Sequence, residues 1–133
     1  MARHVTYYDS LWSRKAQELR GYTLSSPHII RWDDSRKRER PTGFAMPFVS
    51  PDHGADALSV HVSVVEPGQR AHPPHEHAGE EVMFLLDGTA EAMVGGDTEV
   101  IGPNTAVYCP PHVMHGLLNC GDIAMRYIVV RTP

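Results

Sequence analysis

Histidines and glutamates crowd one short stretch of the chain, residues 72–81, which is HPPHEHAGEE. His75 and His77 stand two positions apart, and Glu81 follows four residues later. In a β-strand, residues two apart point to the same face, so these two imidazoles would project side by side. Imidazole nitrogens and carboxylate oxygens are ligands for divalent transition metals. The spacing therefore predicts a metal site, and the alternative is a polar turn that is merely rich in histidine.

A third imidazole is available from a second turn, PPHVMHGLLN at residues 110–119. There His115 stands at the start of a strand, after a proline-rich turn. Ala78-Gly79 permits a turn behind the first histidine pair, so that Glu81 can return on a neighbouring strand and face the same way. Three histidines and one carboxylate would leave coordination positions free for water or substrate. The alternative for this set is a polar barrel mouth without a metal.

The segments that must hold these residues alternate between apolar and polar side chains. Residues 57–67, ALSVHVSVVEP, put Leu58 and three valines on one face and Ser59, His61 and Ser63 on the other. Residues 80–102 read as three strands separated by Asp87-Gly88 and Gly95-Gly96, and both pairs predict tight hairpins. The stretches NTAVYCPP, HGLLNCG and IAMRYIVVRTP supply further short strands. The pattern predicts an all-β fold, either a sandwich or a barrel.

The N-terminal part has a different period. Residues 9–20, DSLWSRKAQELR, predict one short helix that Asp9 or Ser10 caps and Gly21 ends. Residues 26–56 have weak periodicity, and a strand at residues 28–32 is the one element assigned there. We therefore divide the chain into an N-terminal helix and arm, residues 1–55, that pack on a β-barrel core, residues 56–133, within one domain overall.

Composition bounds the class of protein. With 133 residues, of which 41% are hydrophobic and 21% charged, the chain fits a single globular domain with one hydrophobic core. A formal net charge of −4 argues against nucleic acid as a partner. Residues 31–40, RWDDSRKRER, hold five of the twelve basic side chains. Asp33, Asp34 and Glu39 lie among them, which favours a solvated loop over a phosphate-binding patch.

The expected location is the cytoplasm. The first residues, MARHVTYYDS, lack the apolar stretch of a signal peptide, and the longest apolar run, Val82 to Leu86, is far too short to span a bilayer. Membrane partners are therefore not expected. Reduced thiols at Cys109 and Cys120 are favoured over a disulfide, although the two residues flank a predicted hairpin and a bridge between them stays open.

The two histidine-bearing turns resemble the two sequence motifs of the cupin superfamily, over about the C-terminal half of the chain. The first motif is Gly68-(x)6-His75-x-His77-(x)3-Glu81-(x)6-Gly88, and the second is Asn104-(x)5-Pro110-x-His112-(x)2-His115-(x)3-Asn119. The resemblance implies a single cupin β-barrel of the jelly-roll type. It also implies one divalent transition metal per chain, namely iron, manganese, nickel, cobalt, copper or zinc, with iron or manganese favoured. The ligands would be His75, His77, Glu81 and His115.

Three departures from the family pattern concern backbone rather than ligands. The first motif has one extra residue between Gly68 and His75, which would bulge the chain near His72. Asn104 and His112 replace the two glycines of the second motif. Glycine adopts a positive φ at little cost, and asparagine and histidine are among the other residues enriched there. We therefore expect both turns to be preserved.

Residues around the predicted metal are candidates for catalysis. His61 either lines the pocket, from the polar face of its strand, or faces solvent on an edge strand. His112 and His72 either act as acid or base at the pocket mouth, because imidazole titrates near neutral pH, or are ordinary turn histidines. Tyr108 is a fourth candidate, from the cavity wall.

Strand parity sorts the remaining neighbours. Met83 and Leu85 share the parity of Glu81, so the pleat points them to the same interior. With Tyr108 and Tyr127 they are candidates for the cavity wall, and plain core is the alternative, favoured for Leu85. Glu76 and Glu80 do not share that parity and should face solvent.

The leading functional hypothesis is a metal-dependent enzyme that acts on a small oxygenated organic acid or related metabolite. Neutral imidazoles with one carboxylate leave a divalent ion with a charge of about +1, which suits an anionic oxygen-donor substrate. Dioxygenase chemistry is favoured slightly, as an implication of the family resemblance. The alternatives are a Lewis-acid isomerase, lyase or hydrolase with the same ligands, and a non-catalytic protein that binds a small molecule. A homodimer is expected, because the resemblance is to short cupins that pair and because an open sheet edge invites pairing.

Overall fold

Nine β-strands form the part of the chain that this computed structural model describes, residues 29–51 and 54–133. The strands are β1 (Arg38–Arg40), β2 (Gly43–Val49), β3 (Ser59–Val65), β4 (Glu81–Asp87), β5 (Ala90–Val94), β6 (Asp97–Ile101), β7 (Thr105–Cys109), β8 (His115–Asn119) and β9 (Met125–Arg131). One turn of 3-10 helix, Asp34–Arg36, precedes them. The helix predicted over residues 9–20 lies outside the described residues. No helix among the residues described here is long and apolar enough to cross a membrane.

The strands form two antiparallel sheets that enclose one interior. The larger sheet has the order β1-β2-β3-β9-β4-β7, and the smaller has the order β6-β5-β8. From β4 onward the chain passes repeatedly from one sheet to the other, so that sequence neighbours such as β7 and β8 belong to different sheets. This two-sheet arrangement confirms the predicted all-β barrel of the jelly-roll type.

Cross-strand register sets which side chains face the interior. Ser63 on β3 lies opposite Tyr127 on β9, and Tyr127 lies opposite Leu85 on β4. All three are buried, with exposures of 4% or less, because directly opposed residues share one face of a sheet. Met83 is buried beside them. The parity predicted for Met83 and Leu85 is therefore confirmed, and the polar face of β3 is the one that turns inward.

One of the two predicted hairpins forms and the other does not. Gly95-Gly96 joins β5 to β6, which pair with each other. Asp87-Gly88 instead carries the chain from the larger sheet to the smaller one, because β4 pairs with β7 and β9 while β5 pairs with β6 and β8. Gly88 has φ +93°, and a Cβ atom there would lie 2.9 Å from the Met125 Cα. A corner packed this closely against β9 requires glycine.

The hairpin expected between the two cysteines is also absent. β7 ends at Cys109 in the larger sheet, whereas Cys120 follows β8 in the smaller one. Cys109 is buried, Cys120 is exposed, and both are free thiols. Burial raises the pKa of the Cys109 thiol to about 12, and the nearby Glu81 carboxylate raises it further. A thiol in that state is neutral and behaves as a small apolar side chain.

The segment before the barrel core differs from its prediction in two places. Residues 29–32, the described part of the strand predicted at 28–32, contain no strand. Residues 38–40, predicted as part of a solvated loop, instead form β1 and pair with β2. β2 pairs in turn with β3. The alternating side chains Arg38, Glu39 and Arg40 were compatible with a strand, but their high charge favoured the loop interpretation.

Asn119 ties β8 to two other parts of the barrel. Its side chain is fully buried, and its amide donates hydrogen bonds to the carbonyl oxygens of Val65, at 3.0 Å, and Ile123, at 2.8 Å. Its Oδ1 accepts a third hydrogen bond from the Gly121 amide, at 3.0 Å. Burying an amide is favourable only when its polar atoms are paired, and here all three partners are backbone groups.

We expect Asn119→Ala to lower the free energy of unfolding by about 3 kcal/mol, because it leaves two carbonyls and one amide of the backbone without partners in the interior. Urea denaturation followed by circular dichroism measures this loss. Cys120→Ala is the matched control, since the adjacent side chain is exposed and should change stability by less than about 0.5 kcal/mol. Equal stability of Asn119→Ala and the control would contradict the role assigned to the amide.

Candidate metal centre

His75 and His115 are joined by backbone pairing. Each donates its amide hydrogen to the carbonyl of the other, with N···O distances of 3.1 and 2.9 Å. This isolated antiparallel bridge fixes a segment that otherwise has no strand between β3 and β4. The structure thus differs from the regular strand expected for His75 and His77, because only His75 is paired. The extra residue of the first motif falls in a bend at residues 71–72.

His77 is positioned by the second histidine-bearing turn. Its carbonyl oxygen accepts a hydrogen bond from the amide of His112, at 2.8 Å. His112 has φ 60° and Asn104 has φ 64°, and they are the only non-glycine residues with positive φ in the described part of the chain. The prediction that these two residues preserve glycine-type turns is therefore confirmed. The exposed His112 contributes to the site through its backbone.

Glu81 begins β4, and the turn before it packs against the C-terminal residues. The amide of Glu80 donates to the Thr132 hydroxyl at 2.9 Å, and the Thr132 amide donates to the Glu80 carbonyl at 3.0 Å. Gly79 has φ +82°, and a Cβ atom there would overlap the carbonyl oxygens of Thr132 and Pro133. This contact requires a glycine between the histidine pair and the carboxylate, and Glu81 itself is 6% exposed.

The four predicted ligands converge. One donor atom from each of His75, His77, Glu81 and His115 lies within 4.8 Å of every other. Ring centroids of the three imidazoles are 4.9 to 5.2 Å apart, and the ring planes are inclined at 75° to 85° to one another. Donors bound to one ion at 2.0–2.2 Å lie no more than about 4.4 Å apart. Movements of a few tenths of an ångström therefore bring all four donors to a common ion.

Hydrogen bonding selects the ring nitrogens that are free to bind. Nδ1 of His77 lies 2.8 Å from the Ala78 carbonyl, and Nδ1 of His115 lies 2.8 Å from the Val113 carbonyl. Nδ1 must carry the proton in both contacts, because a carbonyl only accepts. Nε2 then offers a lone pair. The Nε2 atoms of all three histidines are buried and have no hydrogen-bond partner in the structure, which is the state expected of metal ligands.

The position of the Glu81 carboxylate also supports metal binding by this cluster. Glu81 Oε2 lies 2.8 Å from Nε2 of His115, and Glu81 Oε1 lies 3.7 Å from Nε2 of His77. The shorter distance would fit an ion pair only if His115 carried protons on both ring nitrogens, whereas a neutral His115 holds its single proton on Nδ1, toward Val113. Lone pairs would then face each other, and a shared cation removes that repulsion. These residues fit a divalent transition metal.

A cavity of about 780 Å³ opens beside the cluster, and His75 and Glu81 are part of its wall. Met83, Tyr127 and His61 line it as well, whereas Leu85 is not among the lining residues and belongs to the core. Burial raises the pKa of the Tyr127 phenol, and a hydrogen bond with Ser63 acts in the opposite direction. A cavity of this size takes a small organic molecule.

His61 and His75 are both held in their neutral forms. Burial is the main cause that lowers the pKa of His61 to about 4, and the positive charge of Arg40 lowers it further. Burial also lowers the pKa of His75, with a second contribution from His72. The His72 ring stacks on that of His75, with centroids 4.1 Å apart and planes 17° apart. His72 is exposed at the cavity wall and is not in the ligand cluster.

Tyr108 lies outside the cavity, contrary to its predicted place in the wall. It is 53% exposed, and its hydroxyl donates to the Glu80 carboxylate at 2.7 Å. This contact raises the pKa of the Tyr108 phenol. The neighbour Cys109 points inward, so Tyr108 has the outward parity of β7. Glu76 and Glu80 are both exposed, as predicted.

Three charged lining residues were not among the predicted ones: Arg38, Arg40 and Arg131. Arg38 and Arg40 belong to β1, which was predicted as a solvated loop. The sequence did contain a signal for this strand, because Arg38 and Arg40 are two residues apart and the turn-forming Pro41-Thr42-Gly43 follows them. Arg131 shares the parity of Tyr127 and Val129 on β9 and follows from that alternation.

Comparison with known proteins matches the chain to the cupin domain family. The family model, described as "Cupin domain", matches residues 61–131. Mannose-1-phosphate guanylyltransferase of Escherichia coli K12 is 32% identical over 77 residues, which are 58% of this chain and 16% of that enzyme. This chain therefore corresponds to about a sixth of the length of the curated relatives that it matches.

Solved structures with the same fold are more distant in sequence. An RmlC-like cupin from Shewanella frigidimarina NCIMB 400 has a TM-score of 0.70 at 18% identity, over 84% of this chain and 95% of that one. A predicted oxalate decarboxylase from Thermotoga maritima has a TM-score of 0.69 at 17% identity, over 79% and 98%. Since the family model spans more than half of the residues and both motifs lie within or beside that range, this chain belongs to the cupin superfamily.

Proposed function

We propose that this protein is a metal-dependent enzyme that acts on a small oxygenated organic acid, with dioxygenase-type chemistry. The observation that carries the proposal is the convergence of three unpaired, buried Nε2 atoms and one carboxylate at the wall of a cavity. His75, His77, Glu81 and His115 would hold the ion. When bound, a redox-active divalent metal such as iron or manganese would supply oxygen activation, and any of the candidate metals would supply Lewis acidity.

The chain's own residues would bind and orient an acidic substrate. Arg131 ends β9 directly opposite Glu81, so its cation lies at the level of the ligand cluster. Tyr127 keeps its phenolic proton at neutral pH and can donate a hydrogen bond to a substrate oxygen. Met83, Val129 and Leu117 give the same cavity apolar walls, which exclude water and strengthen these polar contacts.

His61 would serve as a neutral hydrogen-bonding group rather than as a cation. With a pKa of about 4, it is unprotonated at neutral pH, so that it can accept a proton or hydrogen bond from a substrate. A protonated His61 would be surrounded by the positive charges of Arg40 and Arg38. The neutral state is thus mainly a consequence of burial, and the positive charges of Arg40 and Arg38 reinforce it.

Removal of one ligand tests the metal dependence. We expect untagged wild-type protein to carry about one equivalent of iron or manganese, and His77→Ala to carry less than about 0.1 equivalent, because the remaining donors bind the ion much more weakly. Elemental analysis measures the metal, and an oxygen electrode measures turnover with oxalate, pyruvate, lactate and succinate as trial substrates. We expect His77→Ala to lose at least about 100-fold in turnover.

Glu76→Gln is the matched control, since Glu76 lies between two ligands but is exposed, and we expect full metal content and turnover. If active protein contains only zinc or nickel and consumes no oxygen, the reaction is Lewis-acid chemistry and the dioxygenase proposal is wrong. Metal-loaded protein that binds these acids without converting any of them would contradict the enzyme proposal.

The depressed pKa of His61 predicts a specific loss of stability in acid. An ordinary histidine has a pKa of 6.5, against about 4 here, so the unfolded chain binds more protons between these values. Stability therefore falls as the pH drops from about 6.5 to about 4, by on the order of 2–3 kcal/mol from this residue. In chelated protein, urea denaturation at pH 7, 6, 5 and 4.5 should show that His61→Gln loses less stability than wild type. Parallel pH profiles for the two proteins would rule out a buried neutral His61.

We also propose a homodimer. The larger sheet ends on the three-residue strand β1, and Ile29 and Trp32 before it expose apolar surface, at 78% and 39%. Light scattering is expected to give twice the 14.8 kDa mass of one chain. A monomeric mass at micromolar concentration would contradict this assembly.

A further inference from the structure

Three arginines line the cavity that contains the ligand cluster, and two of them come from β1. Arg38 lies opposite Ala45, Ala45 lies opposite Ser63, and Ser63 lies opposite Tyr127. Since directly opposed residues share a face, Arg38 is on the interior face of the sheet, and Arg40 has the same parity. The register of β1 thus brings both side chains to the cavity wall, where Arg38 is exposed and Arg40 is half-buried.

These guanidinium groups have no counter-ion among the described residues. Over residues 29–51 and 54–133, neither Arg38, Arg40 nor Arg131 forms an ion pair with a carboxylate. Among the residues that the structure describes, Glu81 is the only acidic one in the cavity wall, and it belongs to the ligand cluster. Arg40 is half-buried, so its charge is partly removed from water. An unpaired and partly desolvated guanidinium is costly unless a bound anion pairs with it.

The arginines of β1 are separated from the ligand cluster. Glu81 lies opposite Arg131 on β9, whereas Arg38 shares the cross-strand row of Tyr127, four residues back along the same strand. That offset is about 13 Å along the strands. The field of Arg40 acts on both His61 and Tyr127, which lie in the cavity between the two places. Arg40 itself lies in the row of Met125, two residues further from the cluster than Arg38. Since Arg40 and Glu81 line the same cavity, a small molecule bound in it can contact both.

We infer that the substrate carries a second anionic group, a carboxylate or a phosphate, and that Arg40, assisted by Arg38, binds this group at the end of the cavity remote from the metal ligands. The inference rests on the proposed function, because it assigns the first anionic group to the ligand cluster and Arg131. It makes Arg40 a specificity-determining residue for dianions. Guanidinium suits either anion, since both accept paired hydrogen bonds from its planar donors.

Calorimetric binding of matched acids tests the inference. Adipate and hexanoate have the same chain length but differ in the second carboxylate, and 3-phosphoglycerate and glycerate make the corresponding pair for phosphate. We expect wild-type protein to bind one of the dianions at least about 10-fold more tightly than its monoanionic partner. The pair that shows the preference identifies the anion. Arg40→Met, which removes the charge but keeps the length, should reduce the preference to less than about 3-fold.

Arg31→Met is the matched control, because Arg31 is an exposed arginine outside this cavity, and it should keep the wild-type preference. If Arg40→Met does not fold, Arg38→Met replaces it, with an expected drop of about 3-fold. A preference unchanged by both substitutions, or its absence from wild-type protein, would overturn the inference. Binding is measured in both chelated and metal-loaded protein, so the dianion preference is tested independently of turnover and metal content. Absence of turnover or of metal would overturn the proposed function alone.

Discussion

The reciprocal hydrogen bonds between His75 and His115 are the interaction on which the site depends. The segment between β3 and β4 has no other strand pairing in the described residues, so this bridge, together with the backbone hydrogen bonds of Asn119 with Gly68 and Gln69, fixes where the first motif lies. It attaches that segment to the smaller sheet, whereas Glu81 belongs to the larger one. The donor atoms therefore come from both sheets. The geometry of the cluster is set by the way the two sheets approach each other at one end of the barrel.

The interior is divided between a packed end and an open end. Leu85, Met125 and Ala90 are fully buried at the packed end, where apolar contacts supply most of the favourable free energy of folding. Toward the open end the same strands present His61, Ser63 and the ligands to a cavity. Apolar packing is reduced there and backbone pairing holds the strands, whereas Asn119 lies at the packed end, opposite Ala90. Such a division leaves room for a ligand without loss of the core.

The ligand set could be predicted because it depends on short-range spacing. His75, His77 and Glu81 lie within seven residues, and His115 begins a strand that the alternation also indicated. The backbone role of Asn104 and His112 followed from their known tolerance of positive φ. The pairing of strands could not be predicted from the sequence, since Asp87-Gly88 has the sequence of a hairpin turn but forms a corner between the two sheets. Tertiary packing against Met125 decides between these two uses, and no local pattern contains that information.

The positions of Arg38 and Arg40 in the cavity wall were not predicted, because the sequence around them is highly charged. Arg38 and Arg40 lie in a stretch so rich in charge that it resembles a solvated loop, and only the register of β1 with β2 shows that two of these arginines face inward. A strand whose inward residues are charged contradicts the usual pattern for a core. Such contradictions between local pattern and position occur mainly where a protein binds something.

The contact between Gly79 and the last two residues has a practical consequence for handling the protein. Pro133 and Thr132 sit beside the turn that carries the imidazole pair and form part of the cavity wall. Any polypeptide joined after Pro133 would emerge beside the cavity wall. A polyhistidine purification tag at that position would bring further imidazoles close to the four candidate metal ligands.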